Sequence, residues 1–152
     1  MLKGYKIIDQ YAPHFLTFTI VGWVDIFTRR EMKEMVIDSF KYCQEKKGLI
    51  IHAYVIMSSH LHVIWSAQLN STGLSSLVRD FKKYTSKQII RFLNDPNESR
   101  RDWLKVVFKY HAKYNRRNSD FQIWTQDNKP KQIMHPKFAR TKLNYIHMNP
   151  VV

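Results

Sequence analysis

The stretch YVIMSSHLHVIW, residues 54 to 65, reads as two strands folded back on a two-residue turn. LIIHAYVIM (49–57) is an apolar run of strand length, SS (58–59) is a tight connection, and HLHVIWS (60–66) resumes the apolar pattern. Successive side chains of a strand point to opposite faces, so His60 and His62 share one face while Leu61, Val63 and Trp65 share the other. A hairpin with one apolar face belongs to an antiparallel sheet that packs on a core. The other face carries two imidazoles side by side. A single strand histidine is ordinarily a structural residue. Two at positions i and i+2 are close enough to chelate one cation, and imidazole is the commonest metal ligand. Spacing alone leaves both readings open, and a metal would need a further ligand from elsewhere. His14, His52, His111, His135 and His147 are scattered without such spacing.

Outward from the hairpin the pattern alternates between the two periods. HFLTFTIVGW (14–23) alternates as a strand does. TRRE (28–31) has the form of a capping box, with Thr28 as cap and Glu31 reaching back. Met32, Met35, Val36, Ser39, Phe40 and Cys43 then recur at helical spacing, and Gly48 can close the helix. After the hairpin, Leu74, Leu77, Val78, Phe81, Tyr84 or Thr85, Ile89 and Phe92 predict a helix over 72–93, which NDPN (94–97) breaks. A second basic helix is expected from about Ser99 to Tyr114, with Trp103, Leu104, Val107, Phe108 and His111 on one face. FQIW (121–124) reads as a fourth strand and QDNKPK (126–131) as a turn. A last helix begins near Pro136, well suited to a first helical position, and runs to about Met148. The order β-α-β-β-α-(α)-β-α is that of an α+β, ferredoxin-like antiparallel sheet with helices mainly on one face. That fold serves many functions, so the site has to decide.

Composition narrows the partners. The 152 residues, 44% apolar, suit one domain spanning 1–152. No run approaches the length of a membrane span and MLKGYKIIDQ lacks a signal-peptide core, so the chain reads as cytoplasmic. The single Cys43 excludes an internal disulfide and a Cys-rich zinc knuckle. With only four glycines there is no Gly-rich phosphate loop. The net charge of +13 favours a polyanion, nucleic acid before anionic membrane. From Arg79 to Arg117 there are 12 Lys/Arg against 4 Asp/Glu, so +8 of that charge lies in one segment. Tyr84, Phe92, Trp103, Tyr110 and Tyr114 are interleaved there, the composition that base stacking along a phosphate track requires.

The last helix, HPKFARTKLNYIHMNPVV (135–152), carries two stripes. Phe138, Lys142, Tyr145 and Asn149 fall on one; Ala139, Leu143 and Ile146 form a second, apolar stripe able to dock on a sheet. Tyr145 and Asn149, one turn apart, present a hydroxyl and an amide together. From spacing alone, a buried tyrosine with an ordinary helix-end asparagine is the more common arrangement.

HLH after a YVIM strand, the basic helix RDFKKYTSKQI, the IWTQ segment and NYIHMNPV near the end together resemble the HUH-type single-tyrosine transposases, and among them the REP-associated tyrosine transposases. The similarity runs from FLTFTIVGW to NPVV. It implies an HUH-endonuclease fold and cleavage and rejoining of single-stranded or hairpin DNA through a 5′-phosphotyrosine. It implies Tyr145 as nucleophile and His60, His62 and Asn149 as ligands of Mg²⁺ or Mn²⁺. It also implies a homodimer that pairs through the sheet and exchanges the tyrosine helix. Arg79, Lys82, Lys83, Lys87, Arg116, Arg117 and Lys142 are the expected DNA contacts. The chain differs from many of these relatives by a basic helical insertion near 95–118. Two other readings stand beside it. A non-catalytic ferredoxin-like nucleic-acid-binding module would need neither metal nor covalent adduct. A metal-dependent hydrolase would use water in place of Tyr145.

Overall fold

The computed structural model describes residues 6–114 and 120–148. Four strands, β1 (His14–Thr19), β2 (Leu49–Ile56), β3 (His60–Ala67) and β4 (Lys131–Gln132), form one sheet in the order β2-β3-β1-β4, with every neighbouring pair antiparallel. Helices α1 (Arg30–Lys46), α2 (Leu74–Phe92), α3 (Arg101–Ala112) and α4 (Pro136–Met148) complete it. This is the ferredoxin-like arrangement expected from the element order.

Strand alternation divides the molecule into two cores. Leu16 and Phe18 of β1 and Leu61, Val63 and Trp65 of β3 are buried on one face against Val36 and Phe40 of α1 and Leu77, Phe81 and Ile89 of α2. Phe81 lies at the centre, with its ring centroid 5.2–5.6 Å from those of Trp65, Phe18 and Phe40. Leu104 and Phe108 of α3 enter the same core. The opposite face is covered by α4, where Ile146 and Leu143 pack on Phe15, Val55 and Ile64, with Ile133 joining them. The apolar stripe of the last helix thus docks on the sheet as its spacing suggests, and the helices lie mainly on the other face.

Several local expectations are corrected. The fourth strand is Lys131–Gln132, in the segment read as a turn, while FQIW contributes one bridge, Trp124 to Ile20. Burial explains the error: Ile123 and Trp124 are apolar because they fill the first core, not because they belong to a strand. The first strand ends at Thr19, and Val21–Trp23 is a short 3-10 turn. The capping box does not form: Thr28 Oγ1 donates to Asp25 O at 2.8 Å and the residue ahead of α1 is Arg29. That end of α1 is held by Glu98, which accepts two hydrogen bonds from the Arg29 guanidinium at 3.0 Å each. Burial pushes the Glu98 carboxyl up, but the Arg29 bonds, with help from Arg100, hold it below its ordinary value. On α2, Thr85 takes the buried seam position and Tyr84 is half-exposed; on α3, Trp103 is exposed while Ala112 is buried.

Candidate active site

The site begins at the first residue of β3. Ser59, in the hairpin turn, accepts a backbone hydrogen bond from Ile20 N at 3.0 Å, which fixes the start of β3 against the end of β1. In the resulting register Thr17 faces His62 and Phe15 faces Ile64. The two imidazoles stand on the same face with ring centroids 4.7 Å apart. Each has its Nδ1 beside a hydroxyl: His62 with Thr17 Oγ1 at 3.1 Å and His60 with Ser59 Oγ at 3.2 Å. With Nδ1 carrying the ring proton toward its hydroxyl, Nε2 presents a free lone pair. His62 is only 6% exposed and stacks on Phe15 at 5.4 Å, yet its buried Nε2 has no partner among the described residues. A buried nitrogen without a partner is costly and calls for an explanation, and a ligand is one.

Helix α4 crosses this face. Docking of Ile146 and Leu143 turns the neighbouring stripe toward the histidines. Tyr145, 47% exposed, has its ring 5.1 Å from that of His62 at 72°, edge to face, and 6.1 Å from that of Phe15. Lys142 Nζ lies 4.5 Å from the Phe15 ring centre, 5.5 Å from that of Phe138 and 5.8 Å from that of Tyr145. Phe138, Lys142 and Tyr145 thus share a stripe, as spacing predicts. Asn149, the fourth member, lies outside the described residues, as do Arg116 and Arg117.

The electrostatics keep both imidazoles neutral. His62 is pushed down to about 4 by burial, and further by the neighbouring His60 and Lys142. His60 is lowered by burial. Burial and the charge of Lys131 lower Lys142 as well. Neutral imidazoles are the form that binds metal, so the donor set suits a divalent cation. Among the described residues no group of three His, Cys, Asp or Glu side chains comes together. A further ligand would therefore be of another kind.

The low pKa of His62 bears on stability. Between the folded value near 4 and the unfolded value near 6.5, the unfolded chain binds the extra proton. Stability of chelator-treated protein is expected to be level above pH 7 and to fall as pH drops from 6.5 through 4. The part due to His62 should be about 3 kcal/mol, and His60, whose pKa burial also lowers, adds to the loss in the same direction. Urea unfolding at several pH values checks this, and His62→Gln should flatten the profile across that window.

The basic residues divide. Arg79, Lys83 and Lys87 are exposed on α2, which packs on the opposite face of the sheet from the histidines. Lys82 turns inward: its Nζ donates to Thr125 O at 2.8 Å and Asn128 Oδ1 at 2.9 Å, and burial pushes its pKa down to about 8. Its role is to hold the 125–128 loop. The sequence reading missed Phe15, Thr17 and Ser59 as supports of the histidines. Only Thr17 left a signal, a polar residue alternating within an apolar strand, and its pairing with His62 required the register.

Fold and site define a basic, ferredoxin-like α+β protein with paired neutral histidines on one sheet face and a tyrosine helix laid over them. A family model described as IS200-like transposase matches residues 14–119, and the chain belongs to that transposase family. The matched segment runs from β1 past the end of α3, so it includes His60 and His62 and stops short of α4. Among solved structures, a REP-associated tyrosine transposase bound to a REP hairpin shares the fold. Its TM-score is 0.66 at 17% identity, over 98% of this chain and 72% of that one. A putative transposase from Deinococcus radiodurans R1 is also similar, with a TM-score of 0.54 at 13% identity over 100% of both chains. No curated protein sequence matches. Among the described residues no helix is long and apolar enough to cross a membrane.

Proposed function

We propose that this transposase cleaves and rejoins single-stranded or hairpin DNA with Tyr145 as nucleophile. The observation that carries the reading is the Tyr145 ring 5.1 Å from His62, whose buried Nε2 is unpartnered. The Tyr145 oxygen gives up its proton and attacks the scissile phosphorus, the bond to the 3′ oxygen breaks, and that oxygen takes up a proton and leaves as a 3′-hydroxyl, so the net proton count is unchanged. The 5′ end remains linked to Tyr145 as a phosphotyrosine, and attack by another 3′-hydroxyl reverses the step, so no nucleotide cofactor is consumed. His60 and His62, with Asn149 as third ligand, would hold Mg²⁺ or Mn²⁺, which when bound neutralises charge developing on the phosphate oxygens. Thr17 and Ser59 orient the two rings. Lys142 supplies a positive charge on the tyrosine stripe. Within one chain α4 lies over the histidine face, so the tyrosine is proposed to act in cis. The whole chain is read as one catalytic domain, with α3 as the inserted element. Hairpin DNA is the substrate of choice to test, since a solved transposase of this fold binds one. Incubation with labelled hairpin DNA and Mn²⁺, followed by a denaturing gel, should reveal a covalent protein–DNA band. Its absence across hairpin and single-stranded substrates would remove the proposal and leave the non-catalytic binding module.

The exposed cations of α2, Arg79, Lys83 and Lys87, are proposed to hold DNA phosphates away from the reacting centre; Lys82, occupied by the 125–128 loop, is withdrawn from that group. Replacing Lys83 and Lys87 by Gln is expected to flatten the log–log salt dependence of DNA binding by about 0.7–0.9 for each phosphate no longer neutralised. The rate of cleavage at saturating DNA should be nearly unchanged, because the sheet lies between α2 and the histidines. An unaltered salt slope would mean that this face does not meet DNA.

A further inference from the structure

Trp23 is a bulky side chain in an unusual backbone conformation. Its φ is +56, in the left-handed region that aromatic residues rarely occupy, and it follows Gly22 at φ +65. Despite that strain its ring is 68% exposed, so burial in the core does not account for it. The ring meets His60 edge to face, with centroids 5.6 Å apart. The turn that presents it is held from several sides. Trp23 N donates to Ile20 O at 3.0 Å, Val21 N to Ile123 O at 2.8 Å, and Ile20 N to Ser59 O at 3.0 Å. Behind it, a Cβ placed on Gly22 would lie 3.3 Å from His111 Nε2 and 3.5 Å from Val107 Cγ1, so α3 is seated directly on the turn. A strained, exposed side chain whose surroundings over-determine its conformation is characteristic of functional positions.

We propose that Trp23 is a nucleobase-stacking platform, which holds a base of the DNA strand beside His60, and that α3 serves as the buttress of that platform. The proposal rests on the reading of the histidine face as the place where the strand is cut. An exposed indole offers a flat π surface that any unpaired base can cover, and its distance from His60 suits a nucleotide adjacent to the reacting phosphate. The helix α3 thereby acquires a specific role, since Val107 and His111 keep the Gly22–Trp23 turn from relaxing.

The test uses the full chain and a hairpin substrate carrying 2-aminopurine, placed in turn at each nucleotide around the cleaved phosphate. Trp23→Gly is the informative variant, because glycine accepts the positive φ and removes only the ring; it should melt no lower than wild type. It is expected to raise the DNA concentration needed for half-maximal cleavage by roughly 5- to 150-fold, the range for loss of one base stack. It should also abolish quenching at one 2-aminopurine position. Trp23→Phe should retain part of both effects. Trp103→Phe, which removes the other exposed indole, should change neither. If Trp23→Gly cleaves at wild-type concentrations with unaltered quenching, the platform is refuted while the tyrosine chemistry stands. If wild-type protein forms no adduct yet quenches one position in a Trp23-dependent way, the chemistry fails and the base site survives.

Discussion

Tyr145→Phe is expected to eliminate the covalent protein–DNA adduct while leaving fold and DNA affinity in place. The substitution removes one oxygen and little volume. The ring contacts with His62 and Phe15, at 5.1 and 6.1 Å, involve the faces and edges of the ring and survive it. The melting temperature should therefore change little, and the adduct should fall below detection on a denaturing gel, since the oxygen proposed to attack the phosphate is gone. Tyr84 is the rival that charge alone would favour, with Lys83 and Lys87 close in sequence. The tertiary structure separates it from the histidines: it is half-exposed on α2, with its ring 6.2 Å from that of Tyr42 at 17°, on the far side of the sheet. Tyr84→Phe should keep the adduct. Peptide mapping of trapped adduct to the segment around Tyr84, with Tyr145→Phe still active, would overturn the assignment.

Loss of either histidine is expected to lower metal-dependent cleavage by on the order of 10³-fold, since charge stabilisation by a bound cation contributes several kcal/mol to such a step. The two substitutions should differ in their effect on stability. His60 is partly exposed, so His60→Ala removes little packing. His62 is buried and stacked on Phe15, so His62→Ala leaves a cavity beneath Tyr145 and should also lower the melting temperature. His62→Gln fills more of that space and separates the two effects. Mn²⁺ affinity, measured by calorimetry on protein without DNA, gives a readout independent of cleavage and should weaken for both variants. DNA affinity without metal should be largely retained, because the cations proposed to hold DNA lie elsewhere. Wild-type cleavage by either single variant in the presence of Mn²⁺ would show that the metal site is misassigned.

The helix-face chemistry was more legible than the loops. Strand parity places His60 and His62 together whatever the rest of the chain does, because a period of two is local geometry. Helical periodicity likewise groups Phe138, Lys142 and Tyr145 and gives the adjacent stripe its apolar docking surface. The element order and the alternation of β1, β2 and β3 were enough for a ferredoxin-like sheet. Local patterns failed where long-range packing was in control. FQIW has the composition of a strand, but its apolar residues fill a core, and a two-residue strand lies in the polar segment after it, where β1 offers an unpaired edge. Thr28 has the chemistry of a cap, but Asp25 O and the Arg29–Glu98 ion pair claim that end of α1.

Sequence by itself therefore determined the fold class, the pairing of the two histidines, the stripe that bears Tyr145, and the excess of positive charge. Tertiary structure alone decided which groups meet. It set Thr17 opposite His62, brought α4 over the histidine face, put the cations of α2 across the sheet, turned Lys82 inward, and seated α3 behind Trp23. The physical reason is one of range. Which side chains share a face follows from the repeat of a single element, and that repeat is written in consecutive residues. Which faces meet depends on strand register and on how apolar surfaces far apart in the chain are buried together, and no short stretch of sequence encodes that.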